Sequence, residues 1–321
     1  MITHFLYLAG TIAGIAFLYY GAEFLIRGGV NIARNAKVSP LLIGLTLVAF
    51  GTSAPELVVS VHAALSNCGD ISVGNVVGSN ICNIGLILGL CALLRPIDVT
   101  QQIAKKDMPF LIGVSILFCV FYFIDGRGIN RWQGGVFLLI ISLYLWISFH
   151  SPDNKNDLEE SAKKEGGKIL GIWISISLVI GGLFGLILGA RLFVDGAVHF
   201  ARWFGISEAI ISLTIVAFGT SLPELATSVV AVFRNEKDIA VGNIVGSNIF
   251  NILTIMGVAP LLCPVAAPGI DGIDLAVMLG IAITLWAMMR IHYRISRWEG
   301  ATLLIIYGGY VCHLACKARI F

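Results

Sequence analysis

The chain has 321 residues, of which 57% are hydrophobic and 12% are charged, and its mean hydropathy is +0.90. Soluble domains contain about 25% charged residues, and disordered chains combine low hydrophobicity with high charge. The composition therefore excludes both classes and predicts an integral membrane protein. A formal net charge of +2 is too small to indicate nucleic-acid binding.

Ten apolar segments follow one another along the chain, and each is long enough to cross a bilayer as a helix. In chain order they are 4–27, 40–65, 71–93, 107–124, 131–149, 168–200, 209–233, 239–262, 272–290 and 297–315. The first segment lacks a basic amino-terminal region, so we expect a retained span rather than a cleaved signal peptide. Residues 151–168 are polar and of mixed charge, which predicts a solvated linker.

Two parts of the chain are near copies of each other. Residues 45–97 align with 213–265 without a gap, at an offset of 168, and about 32 of the 53 positions are identical. Each copy belongs to a set of five spans, so the second set must enter the membrane from the opposite side. The sequence thus predicts an all-α membrane protein with ten transmembrane helices in two inverted five-helix repeats. The first repeat is 1–150, the cytoplasmic linker is 151–168 and the second, inverted repeat is 169–321.

The distribution of basic residues predicts how the chain is oriented. If the amino terminus lies outside, 15 of the 21 Lys and Arg residues fall on the inner side and six on the outer side. Basic residues in short loops stay on the cytoplasmic side. We therefore expect a multi-pass protein of the plasma (cell inner) membrane, with both termini outside and the linker in the cytoplasm.

Two acidic residues lie in the middle of predicted spans, at matching positions of the repeat. Glu56 follows Pro55, and Glu224 follows Pro223. Charged side chains inside a membrane are costly, which makes them candidates for function. A proline has no amide hydrogen, so we expect a helix break before each glutamate that leaves backbone carbonyls available.

Neutral oxygen donors accompany both carboxylates. A threonine lies four residues before each glutamate, and the next span of each half carries a serine and an asparagine four residues apart, so each pair shares one helix face. These residues are Thr52, Ser53, Ser79, Asn83, Thr220, Ser221, Ser247 and Asn251. Carboxylate, amide and hydroxyl oxygens suit Ca²⁺ or a Na⁺-like ion rather than zinc or copper. A purely structural role for a buried glutamate is disfavoured, because the whole arrangement occurs twice.

The motifs GTSAPE…GNVVGSNICN and GTSLPE…GNIVGSNIFN resemble the α-repeats of the calcium/cation antiporter superfamily, and most closely those of prokaryotic sodium/calcium exchangers. The resemblance implies alternating access, Na⁺ and Ca²⁺ as transported substrates, and no cofactor. It also implies that the second and third spans of each half supply the cation ligands. These would be Glu56, Thr52, Ser53, Ser79, Asn83 and the Ala49 carbonyl, with Glu224, Thr220, Ser221, Ser247, Asn251 and the Ala217 carbonyl.

The leading hypothesis is a sodium-coupled antiporter that works as a monomer in membrane lipid and exports Ca²⁺. The position of Asn251 is an aspartate in potassium-dependent relatives, so we expect no requirement for potassium. A proton-coupled antiporter of Ca²⁺ or another divalent cation, with Glu56 and Glu224 as proton carriers, remains open. A cation channel is less favoured. An intramembrane enzyme with Ser53 or Ser221 as nucleophile is disfavoured, because no mid-span histidine could act as its base.

Overall fold

The computed structural model describes residues 2–150, 170–205 and 217–318, and most of these residues are helical. In chain order the first half contains α1 (Ile2–Ala36), α2 (Pro40–Ile43), the π-helix π1 (Gly44–Val48), α3 (Ala49–Thr52), α4 (Ala54–Leu65), α5 (Gly69–Cys82), π2 (Asn83–Leu88), α6 (Gly89–Leu94), β1 (Ile97–Asp98), π3 (Ile103–Asp107), α7 (Met108–Ile124), β2 (Gly128–Ile129) and α8 (Arg131–His150).

The second half repeats most of this order. It contains α9 (Ile172–Trp203), α10 (Ala217–Gly219), α11 (Leu222–Phe233), α12 (Lys237–Phe250), π4 (Asn251–Ile255), α13 (Met256–Leu262), β3 (Val265–Ala266), α14 (Gly272–His292), β4 (Arg294–Ile295) and α15 (Arg297–Ala318). The short strands lie in turns between helices, so the architecture of the described residues is that of a helical protein.

Eight helical segments of the described chain are long and apolar enough to cross a membrane, and a bent pair, Pro40–Thr52 with Ala54–Leu65, makes a ninth. The predicted span 209–233 is represented by Leu222–Phe233, because 209–216 lie outside the described residues. The linker 151–168, where the predicted span 168–200 begins, also lies outside them. A multi-pass helical membrane protein is therefore confirmed, whereas ten spans in two inverted repeats stay a prediction.

The predicted helix breaks are present. The second span bends by 47° between α3 and α4, where Ser53 has φ −81° and ψ 2°. Ser221 has nearly the same backbone geometry, φ −90° and ψ 7°, where α11 begins. In both places a proline lies in the first turn of the following helix, where its missing amide hydrogen ends the bonding pattern of the preceding helix.

Two antiparallel strand pairs join the halves at opposite ends of the molecule. β1 pairs with β4, and β2 pairs with β3. We call the end that carries β1 and β4 the linker face, and the end that carries β2 and β3 the terminal face. Leu170, just after the linker, is bonded to Asn31 and Asn35 near the end of α1, at 3.1 and 3.0 Å.

The helices α1 and α9 pack closely along their length, through glycines that are seven residues apart on each helix. These glycines are Gly14, Gly21, Gly28, Gly182, Gly189 and Gly196. A Cβ atom on Gly21 would lie 2.8 Å from the Leu186 nitrogen, and one on Gly182 would lie 2.6 Å from the Leu25 nitrogen. Small residues allow helix backbones to approach in this way inside a membrane.

Candidate cation site

The two carboxylates lie just after the two helix breaks, and both residues are completely buried. Each accepts a hydrogen bond from a hydroxyl group of the other half. Ser221 Oγ donates to Glu56 Oε1 at 3.3 Å, and Ser53 Oγ donates to Glu224 Oε1 at 3.2 Å. The structure therefore brings four of the predicted site residues together at the interface between the two halves.

The predicted threonines belong to the same cluster. Thr220 contacts the carboxylate of Glu56, and Thr52 contacts that of Glu224. Thr52 Oγ1 also donates to Asn243 Oδ1 at 3.1 Å. Each carboxylate is thus approached by a serine and a threonine from the opposite break, which positions it without neutralising its charge.

Of the remaining predicted residues, the Ala49 carbonyl and Ser247 have contacts that join them to this cluster. The Ala49 carbonyl lies 3.3 Å from Thr52 Oγ1 and accepts a longer bond, 3.5 Å, from Ser247 Oγ. Ser79 is buried on α5. Ala217 is the first residue of α10, where the description of this part of the chain begins.

Four asparagines form hydrogen bonds with one another between α5–π2 and α12–π4. Asn83 Nδ2 donates to Asn248 Oδ1, and Asn251 Nδ2 donates to Asn80 Oδ1, both at 3.0 Å. Asn80 and Asn248 each donate to the other's backbone carbonyl, at 3.3 and 3.2 Å. Asn83 and Asn251 were predicted from the sequence. Asn80 and Asn248 were missed, although their exact recurrence in GSN was the signal that could have found them.

A second pair of asparagines supports the backbone at the glutamates and was also missed. Asn75 Nδ2 donates to the Glu56 carbonyl at 3.2 Å and to Ser60 Oγ at 2.9 Å. Asn243, its counterpart in the repeat, makes matching bonds to the Glu224 carbonyl at 3.5 Å and to Ser228 at 3.0 Å. These amides tie α5 to α4 and α12 to α11, so the spans that carry the site are held at a constant spacing.

These hydrogen bonds leave four oxygens of the predicted ligands without a partner. Within the described residues, Glu56 Oε2, Glu224 Oε2, Asn83 Oδ1 and Asn251 Oδ1 are buried and have no hydrogen-bond partner. A buried acceptor without a partner costs about 1–3 kcal/mol, and more if it is charged. A bound cation would satisfy oxygens of both kinds, because carboxylate and amide carbonyl groups are the ligands of hard metal ions.

The donor set is also unlike that of a zinc or copper site. Among the residues that the structure describes, no group of three or more His, Cys, Asp and Glu residues could hold a metal ion. Thiolates and imidazoles, which zinc and copper prefer, are therefore not gathered there. The site can offer two formal negative charges and several neutral oxygens to a desolvated cation.

Comparisons with known proteins agree with this geometry. The family described as "Sodium/calcium exchanger protein" matches residues 6–150 and 174–315. The chain is 40% identical over 307 residues to CaxA of Alkalimonas amylolytica, which covers 93% of this chain and 95% of that protein. It is 32% identical over 333 residues to the sodium/calcium exchanger MaX1 of Methanosarcina acetivorans, covering 92% of this chain and 94% of that one.

The fold also matches a solved structure. The sodium-calcium exchanger NCX_Mj, soaked with zero Na⁺ and Ca²⁺, has a TM-score of 0.82 and 34% identity, covering 97% of this chain and 99% of that chain. The match extends over the central helices as well as the long peripheral ones, because nearly the whole chain is covered. The chain therefore belongs to the sodium/calcium exchanger protein family, a family of membrane transporters.

Proposed function

We propose that this protein is a secondary active antiporter that exchanges Na⁺ for Ca²⁺ and exports Ca²⁺ from the cell. The observation that carries the proposal is the set of four buried, unpartnered oxygens on Glu56, Glu224, Asn83 and Asn251. Hydroxyl groups from both helix breaks surround the same carboxylates. Relatives named as sodium/calcium exchangers, and solved structures of NCX_Mj soaked with Na⁺, Ca²⁺ or Sr²⁺, support the choice of ions.

The charge of the site predicts how exchange responds to voltage. Asn83 and Asn251 are neutral, so Glu56 and Glu224 together supply two negative charges, which one Ca²⁺ balances. If three Na⁺ ions replace it, as the family resemblance implies, the sodium-loaded state carries one excess positive charge. Moving one charge through 100 mV is worth about 2.3 kcal/mol. An inside-negative potential should therefore assist Na⁺ entry and Ca²⁺ export.

Alternating access is the proposed mechanism. Ten spans in two inverted repeats would let the halves exchange conformations, so that the site faces one side and then the other. The pair α1 and α9 is the candidate moving element, because its glycine packing makes one unit of two long helices. We place both termini outside and the linker in the cytoplasm of the plasma membrane, with a monomer as the working unit.

The experiment is Ca²⁺ flux into sealed liposomes that contain the purified protein, with the membrane potential clamped by an ionophore. Vesicles loaded with Na⁺ should take up radioactive Ca²⁺ from a Na⁺-free medium, at a rate that depends on the potential and not on K⁺. Uptake driven by a pH gradient alone would favour the proton-coupled antiporter. Uptake without any counter-ion would indicate a channel, and an absolute need for K⁺ would contradict our interpretation of Asn251.

A further inference from the structure

A narrow cleft lies beside the first helix break, between α4 and π4, which both lead along the chain to the terminal face. Its wall includes Phe50, Ser53, Ala54, Leu57, Phe250 and Thr254. Ser53 belongs to the central site, because its hydroxyl group donates to Glu224 at 3.2 Å. Phe50 is 49% exposed, whereas Phe250, whose ring centroid is 5.7 Å from that of Phe50, is buried. The lining of the cleft therefore includes both a partly exposed ring and a residue that contacts a site carboxylate.

The hydroxyl group of Thr254 is an unusual part of this wall. Its oxygen is buried and has no hydrogen-bond partner among the described residues. Several threonines on long helices donate to the carbonyl four residues earlier, as Thr284 does to Gly280 at 2.8 Å and Thr302 to Trp298 at 2.9 Å, although the buried Thr227 on α11 also has no partner among the described residues. Thr254 lies in the π-helical segment π4 and makes no such bond. Its donor and acceptor capacity is left for whatever occupies the cleft.

Two positions of the cleft are leucines in the other half, whereas Phe250 corresponds to the smaller Cys82. At the repeat offset of 168, Ala54 corresponds to Leu222 and Thr254 corresponds to Leu86. Leu222 is 5% exposed, so its side chain fills space that the methyl group of Ala54 leaves open. The hydroxyl group is therefore not required by the helix packing that the two halves share.

We propose that this cleft is the passage between the terminal face and the central site, and that the Thr254 hydroxyl is an additional contact for the passing metal cation. This inference rests on the proposed exchange function. Ser53 and Thr254 supply the hydroxyl groups of the wall, and its other members are apolar. A cation that loses water on the way to Glu224 would regain an oxygen contact at Thr254. The residue therefore controls the rate of entry more than the final affinity.

The first test separates rate from affinity. Thr254→Val keeps the shape of the side chain and removes the hydroxyl group. It should lower the maximal exchange rate about three- to tenfold, the effect of one ordinary hydrogen bond. Equilibrium binding of Ca²⁺ to the purified protein should change less than twofold, and Thr254→Ser should restore the rate. Thr302→Val, which removes a hydroxyl group bonded within its own helix, is the matched control. An unchanged rate in Thr254→Val would overturn the role of this residue.

The second test does not depend on transport. An impermeant methanethiosulfonate is applied to the side of the membrane from which Cys68 reacts, and labelled peptides are measured by mass spectrometry. Cys68 is exposed next to Gly69, which approaches β3 on the terminal face, and the buried Cys91 is the internal negative control. Ala54→Cys should be labelled and its counterpart Leu222→Cys should not.

Two labelling results would contradict the passage. One is an unreactive Ala54→Cys under conditions in which Cys68 reacts, and the other is equal labelling of Leu222→Cys from the same side. A wild-type protein that binds Ca²⁺ but does not exchange it for Na⁺ would instead refute the proposed function. The labelling result would still stand in that case, so the two failures are distinguishable.

Discussion

The two halves position their carboxylates in the same way, but the contacts that join the halves to each other differ between the two ends of the molecule. At the centre, the reciprocal serine bonds to Glu224 and Glu56 differ by only 0.1 Å, at 3.2 and 3.3 Å. At the ends, equivalent positions carry different chemistry, such as Gly69 in the first half and Lys237 in the second. The comparison indicates that the site requires symmetry, whereas the attachments of the two faces can diverge.

The two strand pairs show this divergence most clearly. On the linker face, Lys237 Nζ lies 2.5 Å from Asp98 Oδ2, and Arg294 lies 3.6 Å from the other oxygen of the same carboxylate. On the terminal face, the position equivalent to Lys237 is Gly69, where a Cβ atom would lie 1.9 Å from the Ala266 carbonyl oxygen. Besides its strand pair, the linker face therefore has ion pairs between the halves, whereas the terminal face has close backbone contact at Gly69.

The largest effects are expected at the symmetric centre. Glu56→Gln and Glu224→Gln should each reduce Ca²⁺ exchange by about 1,000-fold, because one charge at about 4 Å is worth about 4 kcal/mol at an effective dielectric constant of 20. Both variants should remain folded, since glutamine keeps the size of the side chain. Flux in proteoliposomes and the elution profile of the purified protein would test this. Near-normal exchange by either variant would refute the assignment of the site.

The next effect should distinguish the two faces. Gly69→Ala places a methyl group against a backbone carbonyl that cannot rotate away, and we expect a loss of about 3 kcal/mol in stability. Lys237→Ala, at the equivalent position, removes a partly exposed ion pair and should cost less than about 1 kcal/mol. Thermal unfolding in detergent would measure both. Equal losses would show that the two faces are joined with equal strength.

An ion pair between α1 and the end of α11 should produce a smaller effect. Glu23, which is buried, forms ion pairs with Arg27 and Arg234 at 2.5 Å each, and its Oε2 accepts a hydrogen bond from Arg234 Nε at 2.7 Å. Both arginines are about half exposed, so we expect Glu23→Gln to cost only about 1–2 kcal/mol. If α1 moves during transport, this contact must break, and the variant should populate the state open to the linker face more strongly.

Thiol labelling measures that change. In a Leu222→Cys background, Glu23→Gln should increase labelling from the linker side several-fold. Arg191, which occupies the position of Glu23 in the second half, is exposed, and Arg191→Gln is the matched control. No increase with Glu23→Gln, or the same increase with both variants, would show that the ion pair does not hold one access state.

The smallest effect concerns pH. The hydrogen bond from Lys237 lowers the pKa of Asp98, and the charge of Arg294 acts in the same direction. A carboxylate with a lowered pKa stabilises the fold above its ordinary pKa, and this contribution is lost as the pH falls through the lowered value. The stability difference between wild type and Asp98→Asn should thus be constant near neutral pH and disappear in acid. Because Asp98 is 63% exposed, we expect less than about 1 kcal/mol. Unfolding midpoints of both proteins, measured across pH, test this prediction. A stability difference that grows in acid would contradict the predicted sign.

Much of the centre could be predicted from the sequence, because its signals are local or repeated. Apolar runs indicate spans, since a backbone in lipid must satisfy its own hydrogen bonds. Pro55 and Pro223 indicate the helix breaks for the same reason. The recurrence of Glu56 and Glu224 at a constant offset identified the carboxylates, because two buried acids at equivalent positions are costly unless they have a function.

Contacts between distant residues were decided only by the tertiary structure. The sequence does not show that Ser53 reaches Glu224, that Asn80 and Asn248 orient Asn83 and Asn251, or that Glu23 meets Arg234. Such pairs are separated by more than 100 residues, and their distances depend on how the helices pack rather than on any local pattern. Repetition shows which residues matter, whereas packing determines which oxygens are left free to bind an ion.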